Sequence, residues 1–278
     1  MGGPSRYNLG MVDGFVIAFG LAIGSFLNVC IHRIPRGQSI TRPRSSCPHC
    51  HHSIRPWENI PVFSYLFLRG KCSQCGERIS WVYPTVEVVT GFTFYFLFLK
   101  YGFYTPVFVN MVFFGLLLIL TFVDLFERIL PNILTLGGSV FGFLVSPFQS
   151  GEFFDPFRFL DLPNVIWTHY VDSIIGILVG GGFLWFVAEL YFRVRKIEGM
   201  GFGDIKMMAM VGAFLGWGYA WLTILMGSLL GAVVGSLFIL ISRKGRRYEL
   251  PFGSFLAAGA IASTLWGREV FSFYLSQF

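Results

Sequence analysis

Charge is what this sequence has least of. Only 13% of its 278 residues are Asp, Glu, Lys or Arg, against about a quarter in an average soluble domain. Together with 54% hydrophobic residues, 33 Phe and a mean hydropathy of +0.65, this argues against a soluble enzyme and predicts an all-α polytopic membrane protein. No H-E-x-x-H is present, which argues against a metalloprotease helix. Beyond the histidines of segment 32–83 the chain has only His169, so a serine nucleophile would lack a placed base. No A-x-A site follows the first apolar run, and "LNVC" (Leu27–Cys30) lacks the small residues that lipoprotein processing wants, so that run is expected to be a retained helix. Lys and Arg give a net charge of +6, but they form short clusters between apolar runs without interleaved aromatics. That is the pattern of membrane loops, and no nucleic-acid partner is expected. "GMGFGD" follows a membrane helix, not a strand, and is no dinucleotide fingerprint.

A spanning helix needs roughly 20 apolar residues. Runs at 11–31, 84–101, 106–124, 131–148, 171–192, 205–217, 219–241 and 252–267 predict eight spans. The glycine- and tryptophan-rich "GWGYAW" (Gly216–Trp221) would turn the chain between the sixth and seventh. With segment 32–83 inside, 17 of the 21 Lys and Arg fall on one side, which puts that side in the cytoplasm and both termini outside. Glycines at every fourth position (Gly20 and Gly24; Gly227, Gly231 and Gly235) predict close helix packing.

This arrangement places Asp124, at the end of the third span, and Asp204, at the start of the sixth, at one membrane face. From Asp204 to the turn is about 20 Å of helix, shorter than the roughly 30 Å hydrocarbon layer. Asp204 is therefore expected to lie below the inner surface, in a hollow lined by "GMGFG". Irregular backbone at that depth needs cover from protein or water. Intramembrane carboxylates mark functional sites. Two that share a site can hold one proton, with one acting as base on a water and the other polarising a carbonyl. Each Asp could instead cap a helix. That reading suits Asp204 better than Asp124, which sits where the helix dipole disfavours negative charge.

Segment 32–83 holds "CPHC" (Cys47–Cys50) and "CSQC" (Cys72–Cys75). Two C-x2-C pairs so close together predict a structural zinc site with Cys47, Cys50, Cys72 and Cys75 as ligands; a thiol redox pair is the alternative. The adjacent His49, His51 and His52 are expected to be bystanders, and Cys30 to be a buried small apolar residue.

"DLFERILPN" (Asp124–Asn132), "EGMGFGDIKMMAMVGAFLG" (Glu198–Gly216), "PFGSFL" (Pro251–Leu256) and "GSFLNVCIHRIP" (Gly24–Pro35) resemble the signatures of the type IV prepilin peptidase family, whose GxGD motif groups it with intramembrane aspartyl proteases. The resemblance implies that Asp124 and Asp204 are the catalytic pair, with no metal at that site. Gly201, Gly203, Pro251 and Gly253 would shape the backbone around them. It also implies a type IV prepilin or pseudopilin substrate, cut after its basic leader at the cytoplasmic face of the bacterial inner membrane. Ser254 stands where many relatives carry a second proline, and altered local stiffness is the expected consequence.

"WENIPVFSYLFLRGKC" (Trp57–Cys72) and "ISWVYPTVE" (Ile79–Glu87) resemble the family's methyltransferase region. They imply methylation of the new N-terminus from S-adenosylmethionine, with Gly70 and Lys71 in the motif; Val82 replaces a usual Arg. Glu127, Glu198 and Glu249 are expected near the inner surface, as solvated charges or as contacts for a basic leader. The expected organisation is a first helix over 1–31, a zinc-bearing loop domain over 32–83 and a peptidase domain over 84–278. The rival functions are a transporter or proton channel using the paired aspartates, and a membrane thiol oxidoreductase using the C-x2-C pairs.

Overall fold

A computed structural model describes residues 6–148, 166–197, 199–242 and 251–277. Glu198 and Glu249, two of the three expected leader contacts, lie outside them. The described chain divides into two compact units, Met1–Ile119 and Leu120–Phe278.

In the first unit α1 (Arg6–Arg33) and α3 (Val82–Tyr101) flank a short-element module that includes α2 (Phe63–Phe67). Gly20 faces Gly91, and Gly24 faces Glu87, so the two helices run antiparallel. A Cβ on Gly24 would come within 2.6 Å of the Glu87 Cα. The four-residue glycine spacing thus permits backbone-to-backbone contact, as expected. Near the module the Asn28 amide donates to the Tyr83 carbonyl at 3.0 Å. Cys30 is buried. α4 (Thr105–Glu127) crosses the boundary between the units.

The second unit contains α5 (Asn132–Val145), α6 (Ile166–Ile177), α7 (Phe183–Arg195), α8 (Phe202–Ser242) and α9 (Phe252–Leu275). α6 and α7 are joined without a break by a π-helical turn, Leu178–Gly182. Its Gly180 and Gly181 are buried against α8, where a side chain at Gly180 would overlap the Met208 carbonyl.

α8 is continuous in name only, because Gly216 has φ 77 and ψ 177. The Met208 carbonyl and the Ala220 Cβ both border the same Gly180 position, yet twelve residues of straight helix would separate them by about 18 Å. The chain therefore folds back at Gly216 into two arms, where "GWGYAW" predicted a turn. Asp172 of α6 explains why this residue is glycine. Its carboxylate fills the space a Cβ would take and accepts the Trp217 N–H at 3.4 Å, serving as a cap for the second arm.

Among the described residues five stretches are long and apolar enough to cross a membrane: Gly10–Arg33, Val82–Tyr101, Thr105–Glu127, Ile166–Arg195 and Phe202–Phe238. The difference from the expected eight has a physical reason. The α8 stretch contains two expected spans joined at Gly216, Asn132–Phe148 is shorter, and α9 carries Arg268 and Glu269.

Candidate active site and metal centre

Asp124 lies in the last turn of α4, whose end is set by Arg128. That residue has φ 54, and its N–H returns to the Asp124 carbonyl at 3.0 Å. Asp204 is the third residue of α8, and its N–H donates to the Gly201 carbonyl at 3.1 Å. Both aspartates are buried, with 6% and 8% of their surface exposed.

Gly253, second in α9, is where they meet. A Cβ placed there would stand 2.9 Å from Asp204 Oδ1 and 3.0 Å from Asp124 Oδ2. The two oxygens are therefore no farther apart than the sum of those distances, about 6 Å, within the range where carboxyls affect each other's ionisation. Ser254 closes the arrangement. Its backbone N–H donates to Asp124 Oδ2 at 2.8 Å and its hydroxyl to the same oxygen at 3.0 Å.

The surrounding motif residues acquire physical roles. Leu130 packs on two glycines at once: its Cβ would be 2.9 Å from a Cβ on Gly203, and its Cδ1 is 3.0 Å from the Gly253 position. A Cβ on Gly201 would stand 3.5 Å from Asp204 Oδ2, and Pro251 is the N-cap of α9. Lys206 Nζ donates to Asn132 Oδ1 at 2.9 Å, tying α8 to the start of α5. Glu127 is exposed three residues after Asp124. Sequence reasoning missed Ser254 as a partner of Asp124. It also missed the Lys206–Asn132 bond, although both of those residues stood inside the motifs, as did Leu130.

In the first unit the four cysteines converge, with all Sγ atoms within 4.8 Å of one another and Cys47–Cys75 and Cys50–Cys72 both at 3.9 Å. Tetrahedral zinc with bonds near 2.3 Å requires sulfur separations of about 3.8 Å, so the set fits that ion. A disulfide would need about 2 Å. The two C-x2-C segments form matching turns. Residues His51 and Gly76, each four after the first cysteine of its pair, have φ 57 and 72. Each donates its N–H to that cysteine's carbonyl at 3.0 Å. Backbone N–H groups of Cys75 and Gln74 draw the Cys72 thiol down to about 6, towards the thiolate that metal ligation uses. Cys75, despite a backbone donor at Glu77, is pushed up to about 12 by burial and by the other three thiols.

Glu58 ties the two turns together. It accepts the Ser73 hydroxyl at 2.7 Å and the Arg55 N–H at 2.9 Å, and lies 3.2 Å from His52 Nε2. The Arg55 amide, then Ser73 and His52, hold its carboxyl down at about 2. His52 is thus a partner of this carboxylate and not a ligand in the four-cysteine set. Beside the second turn, the Gly70 N–H goes to the Tyr65 carbonyl, the Lys71 N–H to Leu68, and the Ile79 N–H to Gly70. The Gly70–Lys71 backbone is therefore occupied in holding the cysteine turn. The part free of that role is the exposed Lys71 side chain.

Long apolar helices around a pair of buried carboxyls define the class, a helical membrane protein. Comparison with known proteins narrows it. A model of the bacterial peptidase A24 N-terminal domain matches residues 18–101, and one of the type IV leader peptidase family matches 111–236. The chain is 35% identical to the prepilin leader peptidase/N-methyltransferase of Stutzerimonas stutzeri, over 93% of this chain and 92% of that protein. The protein of the same name from Pseudomonas aeruginosa is 34% identical, over 93% and 92%. That from Bacillus subtilis is 34% identical, over 93% and 96%. No solved structure matches. The chain belongs to the type IV leader peptidase family, a family of proteases.

Proposed function

We propose that this protein cleaves the basic leader from type IV prepilins or pseudopilins and methylates the N-terminal amine that cleavage exposes. The observation that carries the peptidase reading is the meeting of Asp124 and Asp204 at Gly253. In the proposed mechanism Asp124 is the base. Two donors from Ser254 converge on its Oδ2 and fix the orientation of that carboxyl. Asp204 carries the shared proton and hydrogen-bonds the scissile carbonyl. A water between them gives a proton to Asp124 as its oxygen attacks the carbonyl carbon, and Asp204 protonates the developing oxyanion. Collapse of the tetrahedral intermediate breaks the C–N bond. The leaving amine takes the proton from Asp124, and Asp204 regains its own from the hydroxyl. Gly253, with no side chain, leaves open the space between the two carboxyls.

Cys47, Cys50, Cys72 and Cys75 would hold zinc in a closed structural site. S-adenosylmethionine, when bound, supplies the methyl group. Lys71 is the motif side chain open to a ligand, and the Gly70 backbone supports the turn beneath it. Glu127, which is exposed, would contact a basic leader, with Glu198 and Glu249 in the same proposed role. The expected division into a first helix, a zinc-bearing loop domain and a peptidase domain stays part of this proposal. So do eight spans, cytoplasmic placement of both chemical sites in the bacterial inner membrane, and termini on the far side. The channel and thiol-oxidoreductase readings are not favoured, because the matched family is one of peptidases and the sulfur spacing suits a metal.

The test is intact-mass spectrometry of a prepilin incubated with the full-length protein in lipid nanodiscs, with and without S-adenosylmethionine. Loss of the leader in both samples, and one added methyl only with the methyl donor, is the expected result. An unprocessed prepilin overturns the peptidase reading, and cleavage without the methyl increment overturns the second activity.

A further inference from the structure

The module between α1 and α3 shows an unusual outward face. Phe63, Leu66 and Phe67 of α2 follow the i, i+3, i+4 spacing of one helix face and are 58%, 65% and 85% exposed. Trp57 and Ile60, just ahead of α2 in the chain, and Trp81, at the start of α3, are exposed as well. Tyr65, on the other side of α2, packs instead against Gly70. An outward face this apolar is rare on a water-bounded domain.

Its height is fixed by a buried carboxylate. Glu87 lies five residues into α3, about 7–8 Å along the helix axis, and accepts the Val62 N–H at 2.8 Å. Val62 holds a φ of 62, a left-handed conformation that a β-branched residue rarely adopts. The segment ahead of α2 is thus fastened beside the first turns of a membrane-crossing helix. That offset matches the roughly 5–10 Å by which interfacial helices sink their apolar face into a bilayer. Charge points to the same surroundings. Segment 32–83 has eight Lys and Arg against Glu58 and Glu77, and Arg55, Arg69, Lys71 and Arg78 are exposed within the same module. Arg55 lies over the Trp57 ring at 5.6 Å.

We propose that residues 57–67 with Trp81 form a membrane-docking foot. Its aromatic and aliphatic side chains enter the headgroup and upper acyl region of the bilayer that α1 and α3 cross, and the four basic residues meet anionic lipid phosphates. The foot would hold the four-cysteine module against the membrane surface. This inference rests on the apolar helices of the first unit and not on the peptidase chemistry.

The test places the photoreactive residue p-benzoylphenylalanine at Phe67, and separately at His49 on the first cysteine turn, in the full-length protein. Each is irradiated in nanodiscs of phosphatidylcholine with or without 30% phosphatidylglycerol. The expected result is at least tenfold more lipid adduct at position 67 than at 49, reduced when phosphatidylglycerol is omitted or salt is raised. Equal adducts at the two positions overturn the proposal. So does an adduct at 67 that forms only with added prepilin and is then prepilin, which would make the face a protein-docking surface. Should the label disturb the module, seen as lost metal, hydrogen exchange on the unaltered protein decides. Amides 57–68 are expected to exchange at least tenfold more slowly in phosphatidylglycerol nanodiscs than in lipid-free amphipol, and equal rates overturn the foot.

Discussion

The cysteine module and the aspartate centre are built by opposite means. In the module, all four cysteines fall within 29 consecutive residues, 47 to 75, and each pair is shaped by hydrogen bonds inside its own short turn. The aspartate centre gathers Asp124, Asp204 and Ser254 from helices distant in sequence. Local chemistry can complete the first site once the turns form. The second exists only when α4, α8 and α9 have packed, so it depends on glycines that let helices approach. The difference makes the two sites separable by mutation, and it predicts distinct failures.

The largest effect is expected from Asp124→Asn or Asp204→Asn, which should lower leader cleavage by roughly 100- to 10,000-fold with bound metal unchanged. Cleavage rate and zinc content measured on the same preparations check this. Cys72→Ser should do the reverse. A structural zinc site contributes folding free energy of its own, so the variant should lose its metal and its methylation while cleavage persists, read by metal analysis and product mass. A variant that lost both activities together would break the comparison.

Gly253→Ala probes the assembled site more gently. Its methyl would meet both carboxyls and Leu130 Cδ1 at about 3 Å, and a displacement of reacting groups on the 1 Å scale costs on the order of 100-fold. Ser254→Ala removes one of two donors to Asp124, and a hydrogen bond to a charged group contributes about 1.5–3 kcal/mol. A fall of roughly 10- to 100-fold in kcat with little change in KM is expected, with recovery in Ser254→Thr; steady-state kinetics separate the two constants.

The smallest effect concerns Glu58. Its carboxyl, held at about 2, lies below the ordinary value near 4.3. Its stabilising contribution is therefore present above the ordinary value and disappears as pH falls through about 2. Glu58→Gln should speed exchange of the Arg55 amide at neutral pH and match the unaltered protein near pH 2, as hydrogen exchange can show.

The same contrast governs what the sequence made legible. Two C-x2-C pairs specify a four-sulfur cluster almost by themselves, since spacing within a turn limits where the thiols can go. Long apolar runs specified helices, and "GWGYAW" marked the reversal at Gly216, because glycine permits its positive φ. The aspartates were visible as costly carboxylates within apolar runs. Ser254 was not, since a serine in an apolar stretch shows no sign of the helix it faces. Asp172 escaped notice for the same reason: its role at Gly216 depends on α6 lying against α8. Span counting was weakest where helices are short or carry charge, as α5 and α9 are.

The central claim, that Asp124 and Asp204 act as one unit, is tested most directly by a double-mutant cycle on leader cleavage, using Asp124→Asn, Asp204→Asn and the two combined. Residues that act together are non-additive, each single loss costing about as much as the pair. The account predicts that the double variant is no slower than the slower single variant. Losses that multiply, or substantial cleavage by either single variant, would contradict it.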